Sequence, residues 1–177
     1  LYGAAFLATL AFAALEGTFS LVAASRWALA PMEVAFLFAF LGVVSVVAQG
    51  FAVGRAVRRF GERGAGLLGL WTMGAGLAGV ALAPSLPLLL AALALLAMGQ
   101  GMASPALSSL VSRQAGPAEQ GRVLGVHQSL GALGRVVGPV SGGFALAHAG
   151  AAAPYLLGAA LAAGALALLA GVAGGGS

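Results

Sequence analysis

The apolar residues of this chain fall into six runs of about twenty, separated by arginine, glutamate or proline. A helix needs about 20 mostly apolar residues to cross roughly 30 Å of hydrocarbon. The runs cover residues 1–25, 34–54, 64–83, 88–112, 123–147 and 155–172. Packing them in water would require a charged exterior, and the charge is missing. Only 7% of the 177 residues are charged and 61% are hydrophobic, whereas a soluble domain carries about 25% charge. Eight Arg and four Glu cannot dress a soluble fold of this length. Lipid is therefore the solvent for most of the surface. There the backbone must satisfy its own hydrogen bonds, which leaves helices or a closed barrel. Ala- and Leu-rich runs without strict alternation exclude the barrel. The expected fold is an all-α membrane protein with six transmembrane helices.

The same inventory removes whole classes of chemistry. Without Cys there is no disulfide framework, thiolate metal site or Cys nucleophile. Two His and no Asp leave little for a metal, so neither a metal site nor a cofactor is expected. No Gly-x4-Gly-Lys phosphate loop occurs, so ATP is not the evident energy source. An aspartyl intramembrane protease needs Asp, and Ser141-Gly142 lacks the Gly-x-Ser-Gly setting of a rhomboid-like one. The chain reads as a non-enzyme. The net charge of +4 comes from a few loop arginines and reads as membrane topology rather than nucleic-acid binding.

Those arginines are unevenly placed. Arg55, Arg58, Arg59, Arg63, Arg113 and Arg122 lie in two alternate connections, and Arg26 stands alone on the other side. The positive-inside rule makes the Arg-rich connections cytoplasmic. An even number of spans then puts both ends in the cytoplasm of a multi-pass plasma (inner) membrane protein. The chain starts at Leu1 without an initiator Met and ends in a flexible tail, residues 174–177, so a fragment of something longer is expected.

Polarity differs among the helices. The third and sixth carry little beyond Trp71, Thr72 and Tyr155, and are expected to face lipid. The first, second, fourth and fifth carry Glu16, Ser45, Gln49, Gln100, Ser104, His127, Gln128 and Arg135, which must face protein or a watery cavity. Two polar helices followed by a plain one, twice over, is what a three-plus-three inverted repeat produces, a plan common in secondary transporters.

Four stretches resemble the C-terminal half of a Major Facilitator Superfamily transporter of the efflux, drug:proton antiporter type. Residues 49–63, QGFAVGRAVRRFGER, resemble the cytoplasmic loop motif after the second helix of each half, with Gly50, Gly54, Arg55, Arg58, Arg59 and Gly61 at its positions. Ala56 or Val57 stands where that motif usually has an acid, which favours the C-terminal version. Residues 99–113 are similar to the fourth helix of that half, and Leu15 to Phe19, LEGTF, to its acid-bearing first helix. Residues 120–143 are similar to its fifth helix, where Gly125, Gly134, Gly138-Pro139 and Gly142-Gly143 match the spacing of the antiporter motif. The resemblance implies an N-terminal six-helix half as partner, a small organic substrate, protons as coupling ion, and efflux by alternating access. The alternatives are an uptake symporter for a small metabolite and a non-transporting membrane scaffold.

The fifth helix also has a reading independent of any family. Gly134, Gly138 and Gly142 recur every four residues and share one face, where small residues let two backbones approach. Pro139 removes a helix hydrogen bond. The expected neighbour is the first helix. The Arg55–Arg63 loop is expected first of all to be a positive-inside anchor; the sharper alternative is that Arg55 and Arg59 cap helix C-termini or pair with carboxylates of the missing half. Glu16 lies about 24 Å along its helix and Arg135 roughly 20 Å beyond Arg122, hence at similar depth. A charge there needs a partner or a watery cavity. The pair is expected to be either a structural bridge or a protonatable carboxylate gated by arginine. Gln49, Gln100 and Gln128 complete the expected substrate and proton pathway.

Overall fold

A computed structural model describes residues 1–116 and 119–172. They form helices α1 (Tyr2–Trp27), α2 (Pro31–Val47), α3 (Val53–Leu82), α4 (Leu86–Ser112), α5 (Gln120–Ala149) and α6 (Ala153–Gly171). The expected tail at 174–177 lies outside the described residues. A π-helical turn, Ala48–Ala52, joins α2 to α3. The two are therefore one helical stretch, Pro31–Leu82, and the described residues contain five stretches long and apolar enough to cross a membrane.

This corrects the expected break across residues 55–63. Arginine ends an apolar run but is a good helix former, so the helix continues through Arg55, Arg58 and Arg59. Its interruption is Gly61, at φ 72° and ψ 174°. That conformation is open to Gly and strained for other residues.

Local chemistry accounts for the other ends. Proline sits in the first turn of α2, α4 and α6, where its missing N–H costs nothing. The Ala30 N–H donates to Glu33 Oε2 at 2.7 Å, capping α2. Helix α1 closes on Ala28 in the left-handed region, with the Leu29 N–H bonded back to Ala23 O. Arg26 Nη1 then donates to Ala81 O at 2.7 Å, tying the end of α1 to the end of α3.

The core sits among α1, α3, α4 and α6, around Leu15, Phe19, Leu70, Met73, Leu77, Leu93, Leu96, Tyr155 and Leu169. Helices α3 and α4 meet through Gly69 and Gly99: a Cβ on Gly99 would stand 2.2 Å from Met73 N, and one on Gly69 2.6 Å from Ala103 N. Polarity alone puts α3 and α6 at the periphery, yet both supply core residues. Helices α2 and α5 bury least, three residues each. In lipid, apolarity does not decide what packs inside, and small residues that let backbones meet do.

Candidate functional site

The site is built on the contact between α1 and α5. The buried residues of α5 are Gly134, Gly138 and Gly142. A Cβ on Gly134 would lie 3.3 Å from Thr9, one on Gly138 2.5 Å from Ala13 Cβ, and one on Gly142 2.7 Å from Ala14 O. Gly17 of α1 completes the seam, since a Cβ there would stand 2.5 Å from Pro139 Cβ. Gly17 has no spacing signal of its own; only its neighbour in space reveals it. Among the described residues nothing lies within 4 Å of a Cβ built on Gly125 or Gly143, and neither takes part in the seam.

Glu16 precedes Gly17 and is exposed. Arg135, also exposed, is the charge whose field reaches it. The two do not close a salt bridge: the ion pairs among the described residues are Arg113 with Glu62 at 2.8 Å and Arg122 with Glu119 at 3.3 Å. Gln49 and Gln128 are exposed as well, on the π-turn and on α5. Gln100 is apart from them. With Thr9, Ser104 and His127 it lines a cavity of about 40 Å³ where α1, α4 and α5 converge.

Within this chain Arg55 and Arg59 contact their own helical stretch. Arg55 Nη1 donates to Phe51 O of its own helix at 3.3 Å, and Arg59 lies over the Phe60 ring. Gly50, Gly54 and Arg58 are exposed. Arg63 meets a helix C-terminus, as Arg26 does at the end of α3: it donates from Nε to Leu169 O and from Nη2 to Ala170 O at the end of α6. Glu62 accepts from Ser109 of α4 at 2.9 Å and from Arg113 just past the end of that helix. The Gly61 break thus sends two consecutive side chains to two different helices. Their role cannot be read from charge alone, because it follows from a backbone angle.

The Major Facilitator Superfamily profile matches residues 1–173. The chain is 33% identical over 156 residues to the bovine (Bos taurus) major facilitator superfamily domain-containing protein 10, which covers 88% of this chain and 34% of that protein. It is 33% identical over 102 residues to the class C tetracycline resistance protein of Escherichia coli, covering 58% of the chain and 26% of that protein. The crystal structure of the human organic anion transporter MFSD10 (TETRAN) superposes with a TM-score of 0.87 at 29% identity, over 95% of this chain and 39% of the other. The chain spans 34% of the length of the bovine relative and 26% of that of the tetracycline resistance protein.

Proposed function

Because the chain belongs to the Major Facilitator Superfamily, we propose that it is the C-terminal, six-span half of a secondary active transporter. Its work is proton-coupled efflux of a small organic solute by alternating access. The observation that carries this reading is the exposed polar set Glu16, Gln49, Gln128 and Arg135, on an otherwise apolar bundle. Such groups in a membrane face another protein surface or a watery path, and the other half of the transporter supplies both. Helices α2 and α5, least buried here, are the ones it covers.

An internal repeat supports the six-span reading. The helical run from Pro31 reaches Gly61, and the run from Gln120 reaches Gly150. Both starts and both glycines are 89 positions apart, and Gly150 has φ 86° against 72° for Gly61. The same offset carries Pro139 onto Gly50, inside the π-turn, so both runs are interrupted at one level. An offset of 84 takes the start of α1 to that of α4 and Glu16-Gly17 to Gln100-Gly101. Gly17 packs on Pro139, and Gly101 packs on Ser45 and Ala48. In this reading Gly61 separates the second span from the third as Gly150 separates the fifth from the sixth. Opposed directions for the two triplets make the repeat an inverted one.

The tetracycline resistance relative favours export. The unbridged Arg135 and the organic anion transporter among the structural neighbours favour a solute with negative charge. The positive-inside rule puts the Arg55–Arg63 segment and both chain ends in the cytoplasm of a plasma membrane. In this scheme Glu16 takes the coupling proton when Arg135 is drawn to solute. The test is the full-length protein in proteoliposomes with an imposed proton gradient. Glu16→Gln should abolish gradient-driven solute movement while solute binding survives. Undiminished driven transport by that variant removes Glu16 from the coupling, and no transport by the parent protein removes the reading altogether.

A further inference from the structure

The cavity at the meeting of α1, α4 and α5 is distinct from the Glu16 and Arg135 face. It is lined by Thr9 of α1, Gln100 and Ser104 of α4 and His127 of α5, with Ala5, Ala8 and Leu107. His127 Nδ1 is buried and has no hydrogen-bond partner among the described residues. A buried ring nitrogen without a partner is rare, because its desolvation goes uncompensated. About 40 Å³ gives room for two or three water molecules. The lining offers each of them several donors and acceptors: an amide, two hydroxyls and the imidazole. Thr9 commits its own proton to Ala5 O at 2.9 Å, so its oxygen turns its lone pairs to the cavity.

We infer that this cavity is a hydrated proton-binding site in which His127 accepts the proton. Water bridges its ring to Gln100, Ser104 and Thr9. A proton entering from bulk water as hydronium passes to the imidazole, leaving neutral water and imidazolium, and the reverse step returns it to that water as hydronium. Imidazole is the side chain whose charge changes near neutral pH, and the lining carries oxygen acceptors on Thr9, Gln100 and Ser104. Among the described residues no charged side chain lines it.

The other titratable groups on the surrounding helices stand off. On α1, Glu16 is seven residues beyond Thr9, about 10 Å along the axis, and on α5 Arg135 is eight beyond His127, about 12 Å. Tyr2 donates to Val123 O, one turn before His127. On α4, Arg113 lies past the helix end. On α6, Tyr155 comes three residues before Gly158, which packs on Ala11 rather than on Thr9. On its own helix Arg122 comes five residues before His127, about 7 Å along the axis, and is paired with Glu119 at 3.3 Å. Among the described residues the cavity wall itself is built from neutral groups.

The experiment is histidine-ring nitrogen NMR of the full-length protein in lipid nanodiscs, titrated from about pH 5 to pH 8. The His127 signal is the one lost in His127→Asn. It should show one reversible protonation. Gln100→Leu should lower its proton affinity about tenfold, a one-unit shift of midpoint. Thr9→Val, which removes a hydroxyl at constant shape, should act in the same direction and covers the case in which Gln100→Leu does not fold. Glu16→Gln should leave the His127 midpoint within about a factor of two, since the sites are separate. A ring that never protonates in this range overturns the proposal. So does a midpoint that neither Gln100→Leu nor Thr9→Val moves. Transport is not the readout, so a protein that moves no solute leaves a positive titration standing, and a failed titration leaves the transport reading intact.

Discussion

Replacing Gly138 by alanine adds one methyl group at the closest point between α1 and α5. The built Cβ falls 2.5 Å from Ala13 Cβ and 3.0 Å from both Ala13 C and Ala14 N. Two of those neighbours are backbone and cannot turn aside. To reach ordinary contact the helices must part by roughly 1 Å, which also loosens Gly134 and Gly142, the other buried residues of α5. Overpacking of this kind costs about 1–3 kcal/mol. Alanine meanwhile gains about 0.5–1 kcal/mol over glycine in a helix. Gly143→Ala gains the same propensity where nothing lies within 4 Å. The difference between the two variants therefore isolates the steric term, about 1–3 kcal/mol. At about 2–4 °C per kcal/mol for a domain of this size, thermal unfolding of the full-length protein in detergent resolves it. Gly138→Ala should melt lower than Gly143→Ala by several degrees. Equal melting temperatures would refute the claim that the α5 glycines are there to admit α1.

Gly61→Ala forces a Cβ into a backbone region used almost only by glycine and should cost about 1–3 kcal/mol, read as a lower midpoint in the same melt; an unchanged midpoint would mean the helix runs through this position. Arg58→Cys, in a chain that has no other cysteine, should resist an impermeant thiol reagent in intact cells and react after permeabilisation; labelling from outside would invert the proposed topology. Arg113→Ala breaks the contact with Glu62, but the arginine side chain is 74% exposed, and Ser109 keeps its own hydrogen bond to that carboxylate. The expected loss is within about 1 kcal/mol, and a larger one would show that the Glu62 network holds α3 to α4.

Lipid as solvent was legible from composition, because a surface needs charge only where it meets water. The Gly134–Gly138–Gly142 seam was legible too, because a four-residue period is a geometric statement about one helix face. The break between α2 and α3 was not. Hydropathy reports where a chain leaves the apolar phase, and the charged residues 55–63 do leave it. Helicity is a separate property, and it ends at Gly61 for reasons of backbone angle. The partners of Glu62 and Arg63 follow from that angle and so were hidden with it. The polar cavity was hidden for another reason. Thr9, Gln100, Ser104 and His127 come from three helices, and their meeting depends on how those helices slide against one another.

That sliding is set by glycines whose spacing within one helix carries no period. Gly69 and Gly76 on α3, Gly99 and Gly101 on α4 and Gly17 on α1 each accept a backbone or a proline from a neighbour. Each is one half of a contact whose other half lies on a different helix. In water, an apolar stripe marks the face a helix buries. In a bundle that is apolar all round, that mark is absent, and the register between helices falls to positions where a side chain is missing. Glu16-Gly17 and Gln100-Gly101 show what this does to function. In each pair the glycine seats its helix against a neighbour, on Pro139 in one case and on Ser45 and Ala48 in the other. The polar residue just before it is thereby held at a fixed height, Glu16 on the exposed face and Gln100 at the cavity. A change at either glycine should therefore move its polar partner before it unfolds the bundle.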